Sequence, residues 1–414
     1  MPRPRISFSP ARRYLVQSVA IAGAGAAIAS ILPLGGCAAA PATGGPARKH
    51  LRLIGWATLA HRLTFKGTAV GGLSGLDYDH GSNLWYALSD DRSDLNPARF
   101  YTLRLAVAAD RLGPPELVDA VTLTQADGQP FPSRRSATPG SVIADIPDPE
   151  AIRYRASTRT LVWSSEGDVR RGLVPSVRES SLEGRQLRAF SMPPMFAIDP
   201  SGRSGPRDNL AFEGLSLTTD GTGAWVAMEN ALVQDGPEPT VQAPGGPCRF
   251  TLFDLATGQA LRQRAYIPDP IPRASLVPGA QADNGVSEIL MQDARYMLVL
   301  ERAYMPGHGN SLRLYRVDTL DGSDTLQQTT LRAGSYAPMA KTLIADFADF
   351  VGKATDGQSA LPRLDNTEGM AWGPRLPSSS GKPGARTLVF VSDDNFNPLQ
   401  VTQFIAFEFL DPDS

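Results

Sequence analysis

Five times along this 414-residue chain, a short apolar run opens on Ser74 or a glutamate, and the apolar run after it closes on an acid. The segments read Gly72-Leu-Ser-Gly-Leu-Asp77 with Leu84-Trp-Tyr-Ala-Leu-Ser-Asp-Asp-Arg92, and Pro149-Glu-Ala-Ile-Arg-Tyr154 with Leu161-Val-Trp-Ser-Ser-Glu166. Next come Phe212-Glu-Gly-Leu-Ser-Leu217 with Ala224-Trp-Val-Ala-Met-Glu-Asn230, and Ser287-Glu-Ile-Leu-Met-Gln292 with Met297-Leu-Val-Leu-Glu-Arg302. The last pair is Thr367-Glu-Gly-Met-Ala-Trp372 with Leu388-Val-Phe-Val-Ser-Asp-Asp-Asn395. A repeat much longer than one hairpin implies a modular β architecture.

The openers Ser74, Glu150, Glu213, Glu288 and Glu368 stand 76, 63, 75 and 80 residues apart. A four-stranded propeller blade takes about 40–50 residues plus loops, so each interval suits one elaborated blade. Short apolar runs punctuated by 39 Gly and 35 Pro read as many short strands. The stretches 51–70 and 401–409 are left over and could pair to close the ring as another blade. The expected fold is therefore an all-β propeller of six blades, with five or seven as alternatives. One helix is expected, over residues 343–354, where apolar side chains recur at helical spacing. Residues 124–141, 233–247 and 375–385 read as loops, either surface insertions or a lid.

Residues 1–37 read as a leader. Arg3, Arg5, Arg12 and Arg13 form a basic start, an Ala/Gly/Ile-rich run follows, and Leu34-Gly-Gly-Cys37 resembles a lipobox with Cys37 as the lipidated residue. Arg12-Arg13 resembles a twin-arginine signal with Ala11 in place of the usual Ser or Thr, which leaves both export routes open. Residues 38–49 would be a flexible tether and 50–414 the propeller domain. The expectation is an exported, periplasmic monomer held to the outer membrane by lipid alone. Removing the leader takes the net charge from −2 to about −6, which argues against nucleic acid or an anionic membrane as partner. With Cys248 the only other cysteine, no intramolecular disulfide is expected and Cys248 reads as a structural thiol.

Hairpin geometry gives the acids their meaning. If one strand starts at the first acid and its antiparallel neighbour ends at the second, both lie on one rim of the sheet. Ser74–Asp90, Glu150–Glu166 and Glu213–Glu229 are each 16 residues apart, Glu288–Glu301 is 13, and Glu368–Asp393 is 25 across a Pro/Ser/Gly-rich insertion. Glu150, Glu213, Glu229, Glu288, Glu301, Glu368, Asp90 and Asp393 are thus the candidate metal ligands, with Asp91, Glu166 and Asp394 on the same mouth. So many carboxylates cannot all stay ionised side by side without a partner. Oxygen donors suit calcium, whereas His50, His61, His80 and His308 are too scattered for zinc. Read singly, each acid is ordinary turn chemistry.

At these residues the chain resembles the phytase-like family (esterase-like activity of phytase). The resemblance rests on Gly72–Leu76, Ser89–Arg92, Phe212–Ser216, Leu300–Arg302 with Arg313–Tyr315, and Asn366–Met370, and it spans about residues 50–410. It implies a β-propeller hydrolase of a phosphoric or carboxylic ester that uses calcium. Glu213 or Glu368 would be general base, and Arg92, Arg302 and Tyr304 would be phosphate contacts or, for the arginines, pairs for the rim acids. The alternatives are a metal-dependent lactonase or carboxylesterase, and a non-catalytic, calcium-braced propeller that binds a partner or glycan. No Gly-x-Ser-x-Gly elbow and no phosphate loop ending in Lys are present, which argues against serine-hydrolase chemistry and a nucleotide cofactor.

Overall fold

Each repeated pair of apolar runs folds as the inner hairpin of a four-stranded antiparallel sheet, and among the described residues there are five such sheets. The computed structural model describes residues 50–133, 145–352, 360–378 and 384–411. Blade 1 is Leu73–Asp79, Leu84–Ser89, Arg99–Arg104 and Glu116–Thr122. Blade 2 is Pro149–Arg155, Thr160–Ser165, Ser176–Ser181 and Gln186–Ala189, and blade 3 is Phe212–Leu217, Gly223–Met228, Cys248–Asp254 and Ala260–Tyr266. Blade 4 is Asp283–Met291, Tyr296–Met305, Gly309–Asp318 and Lys341–Asp346. Blade 5 takes Thr367–Trp372, Arg386–Ser392 and Gln403–Phe409, with Leu51–Thr58 as its outer strand.

The first strand of every blade packs against the first strand of the next, and the fifth returns to the first. The ring is a five-bladed propeller. The count lies within the expected range, at five rather than the favoured six, because the two chain ends do not build a sheet of their own. Instead Leu51–Thr58 pairs with Gln403–Phe409 and completes the fifth repeat. This join closes the ring between the two ends of the chain and covers a sheet edge that would otherwise be open to association.

Strand alternation explains the core. Apolar side chains from facing sheets form four clusters, which lie across blades 2–4, 4–5, 5–1 and 1–2. Around the axis the inner strands come so close that side chains give way to hydrogen. A Cβ on Gly75 would stand 2.8 Å from the Glu150 carbonyl oxygen of the next blade, and one on Gly214 would stand 2.8 Å from the Ile289 nitrogen.

The expected helix over residues 343–354 is not formed where the chain is described. Lys341–Asp346 is the outer strand of blade 4, and Asp346 caps a single 3-10 turn, Phe347–Phe350. Tertiary packing overrides the periodicity here: Phe347 inserts its ring 5.1 Å from Phe390 and 5.2 Å from Phe407. Among the described residues there is no helix long and apolar enough to cross a membrane. The loop 233–247 is folded onto blade 3 by the buried pair of Asp235 and Arg249. Cys248 is buried, with its thiol donating to the Glu229 carbonyl, as a structural thiol would be. Cys37, the leader and the tether lie outside the described residues, as do parts of the other two loops.

Candidate metal centre at the propeller mouth

Every inner hairpin carries a register break. Pairing skips Ser74, Glu213, Ser287 and Glu368, and in blade 2 it skips Glu150 with Ala151. A β-bulge takes its extra residue out of the ladder, and at Glu150, Glu213 and Glu368 this brings a carboxylate into the acidic cluster. The residue closing each second strand is held just opposite. The amides of Asp90, Glu166, Glu229 and Asp393 donate to the carbonyls of Gly72, Asp148, Ala211 and Asn366, each two residues before a bulge.

These two devices bring eight carboxylates into one electrostatic cluster: Asp90, Asp148, Glu150, Glu166, Glu213, Glu229, Glu368 and Asp393. Their oxygens converge most closely in two triads. Asp148, Glu150 and Glu166 place one oxygen each within 4.8 Å of the others, and so do Glu166, Glu213 and Glu229. Glu166 belongs to both triads. Either could hold a metal ion, and carboxylate oxygens without His or Cys suit a hard cation.

The electrostatics point the same way. Burial, reinforced by Glu213, Asp148 and Glu166, pushes the Glu150 carboxyl well above its ordinary range. Burial with Glu229 and Glu166 does the same to Glu213, and burial with Asp148 to Glu166, against the pull of Arg92. Asp90 is raised by burial and then by the charge of Glu368, and Asp393 by burial and then by the charge of Asp90. At 4.8 Å two like charges repel by roughly 3 kcal/mol, even at an effective dielectric near 20. Several such pairs rival the whole stability of a domain, about 5–15 kcal/mol, so the cluster needs protons or cations.

Two guanidiniums flank the cluster. Arg92 pairs with Asp148, lies 3.8 Å from Glu166 and donates to Asn209 at 2.8 Å. Arg302 spans the other side, with Nη2 3.5 Å from Glu229 and 3.4 Å from Glu368. Asn366 donates through one amide nitrogen to Glu368 at 3.0 Å and to Asp393 at 3.2 Å, fixing both.

The structure thus brings together Asp90, Glu150, Glu166, Glu213, Glu229, Glu368, Asp393, Arg92 and Arg302 from the expected set. Glu288 and Glu301 belong elsewhere. In blade 4 the bulge falls on Ser287, so Glu288 takes the place held by Gly75, Gly214 and Gly369 and points down the axis to Arg153, at 2.8 Å. Glu301 pairs with Val286, one residue before the bulge, and faces away from the mouth. It accepts from Tyr266 and Lys341, both at 2.5 Å. The rim place of blade 4 therefore falls to Arg302. Asp91 accepts three turn amides and Arg99, and Asp394 accepts the amides of Gly72 and Phe396, so both serve the loops. Tyr304 is exposed near the turn that joins the second and third strands of blade 4. Asp148 escaped the sequence reading. The signal was its place two residues before Glu150, which matches Asn366 before Glu368.

Comparison with known proteins adds a family. The family model described as Phytase-like, esterase-like activity of phytase, matches residues 68–396. None of the curated proteins matches the chain. Among solved structures it is similar to hydrazine synthase of Kuenenia stuttgartiensis, at 8% identity over 78% of this chain and 66% of that one, with a TM-score of 0.31. It is also similar to the catalytic domain of a Coprinopsis cinerea GH62 α-L-arabinofuranosidase, at 9% identity over 86% and 97% with a TM-score of 0.39. A third is the exo-β-1,3-galactanase of Phanerochaete chrysosporium, at 11% over 84% and 63% with a TM-score of 0.39. The chain spans less than two thirds of the hydrazine synthase and galactanase chains. At these scores the likenesses carry no argument about chemistry.

Proposed function

The chain belongs to the phytase-like family (esterase-like activity of phytase), and on that premise we propose that its acidic mouth binds calcium and hydrolyses a phosphoric ester. One observation supports this reading: two carboxylate triads overlap at Glu166, a donor set that would suit two neighbouring hard cations. Asp148 and Glu150 would hold one ion and Glu213 and Glu229 the other, with Glu166 between them. When bound, calcium would neutralise phosphoryl charge and make a water more acidic.

The chain's own residues supply the rest. Arg302 and Arg92 stand on opposite sides of the acids, and each can turn a guanidinium edge to a phosphoryl oxygen. Glu368 lies beside the triads but in neither, oriented by Asn366 and kept close to Arg302, and it is the residue placed to take a proton from water. Glu213 sits within a triad and is assigned to the cation.

A second reading, a non-catalytic propeller braced by calcium, draws on the fact that both arginines already sit in ion pairs with rim acids. Hydrolysis of phosphate-ester and carboxylate-ester panels, with calcium and with chelator, separates the readings. Calcium-dependent turnover of a phosphate ester that is lost in Glu213→Gln is expected. Turnover of carboxylate esters or lactones alone would replace the substrate class. Calcium-raised thermal stability without any turnover would establish the braced propeller instead.

A further inference from the structure

Just below the acidic mouth, a single ion pair is bonded to all five blades. Two residues beyond the bulges stand Leu76, Ile152, Leu215, Ile289 and Met370. Arg153 donates through Nη1 to the carbonyls of Leu76 and Ile152, the latter at 2.9 Å, and through Nη2 to those of Ile289 and Met370, both at 3.1 Å. Nη2 also lies 2.8 Å from Glu288. Blade 3, the one Arg153 does not touch, is reached by its partner: Glu288 Oε1 accepts the Leu215 amide at 2.8 Å, together with the Ile289 amide at 2.8 Å. Both side chains are buried, at 2% and 0% exposure.

Only a planar fork with several donors can bond four carbonyls that converge from different blades. A buried pair of this kind is no source of stability over apolar side chains of the same volume, because desolvation offsets the attraction. Its geometric consequence is more specific. Each bonded residue sits two positions from a rim residue, so the pair sets how far apart the inner strands stand beneath repelling carboxylates. We infer that the Arg153–Glu288 pair is the positioning element of the mouth, holding the five inner strands at the spacing the cation centre requires. This rests on the cation reading above.

Two variants test it without altering net charge: Arg153→Lys, and the double variant Arg153→Met with Glu288→Met. Calcium affinity is measured by titration calorimetry, and the thermal midpoint in chelator is measured alongside. Both variants are expected to bind calcium at least about 10-fold more weakly, as loss of a supporting contact typically does. The double variant is expected to keep a midpoint close to wild type. Should the double variant not fold, Arg153→Lys decides the matter. Folded variants with wild-type calcium affinity would overturn the inference while leaving the cation centre standing. If wild type binds calcium no better than Glu213→Gln does, the cation reading fails and this inference fails with it.

Discussion

Glu166 and Glu213 reach towards each other from neighbouring blades, with carboxylate oxygens within 4.8 Å. Glu166 is anchored by the amide of Ala211, on the strand approach that carries Glu213. The two blades therefore fix this like-charged contact through the backbone, and the side chains cannot relax apart without breaking it.

Stability should fall with rising pH when cations are absent. Asp90, Glu150, Glu166, Glu213 and Asp393 are raised above ordinary values of 3.8 and 4.5, so the folded chain holds more protons than the unfolded one. That excess stabilises the fold at low pH and is lost as pH climbs from those values through the raised ones. In chelator the thermal midpoint should decline as pH rises above about 5, and calcium should abolish the decline. A flat profile in chelator would remove the electrostatic basis of the site.

Glu213→Gln should stabilise the cation-free protein while it weakens calcium binding. Removing one charge relieves repulsion from Glu229 and Glu166, and a gain of about 1 kcal/mol in chelator is expected. With calcium the order should reverse. Denaturant unfolding under both conditions reads the crossover.

Arg302→Gln separates a phosphate contact from a brace. It leaves Glu229 and Glu368 without their shared cation, so calcium affinity should hold or rise. Phosphate-ester kcat/KM should still fall about 100-fold, the scale for a lost charge-stabilising donor. Equal turnover with and without Arg302 would leave it as a brace alone.

Arg249→Met should damage the fold and spare the site. Arg249 and Asp235 form a fully buried pair at 2.6 Å, and Asp235 also accepts the Leu331 amide. Leaving Asp235 buried without its partner costs roughly 3–5 kcal/mol. Calcium affinity of the folded fraction should match wild type.

The repeated acid, strand, strand, acid unit made the propeller and most of its mouth legible, because hairpin geometry puts both ends of the unit on one rim. Blade 4 was misread by one residue. Alignment on the acid chose Glu288 and Glu301, whereas the bulge falls on Ser287 and brings Arg302 to the rim. The clue was the glycine that follows the bulge in Ser74-Gly75, Glu213-Gly214 and Glu368-Gly369, whose place Glu288 occupies. The ring size was hidden because strand runs at the chain ends do not say which sheet they will complete. Arg153 was equally hidden: nothing local in Ile152-Arg153-Tyr154 tells that its partners are carbonyls from four blades.

Calcium stoichiometry tests the central claim most directly. Equilibrium dialysis near neutral pH, read by elemental analysis, should find two ions per folded chain for the two triads, and Glu166→Gln should disturb both because the residue is shared. A folded wild-type protein that retains no calcium under those conditions would contradict the account.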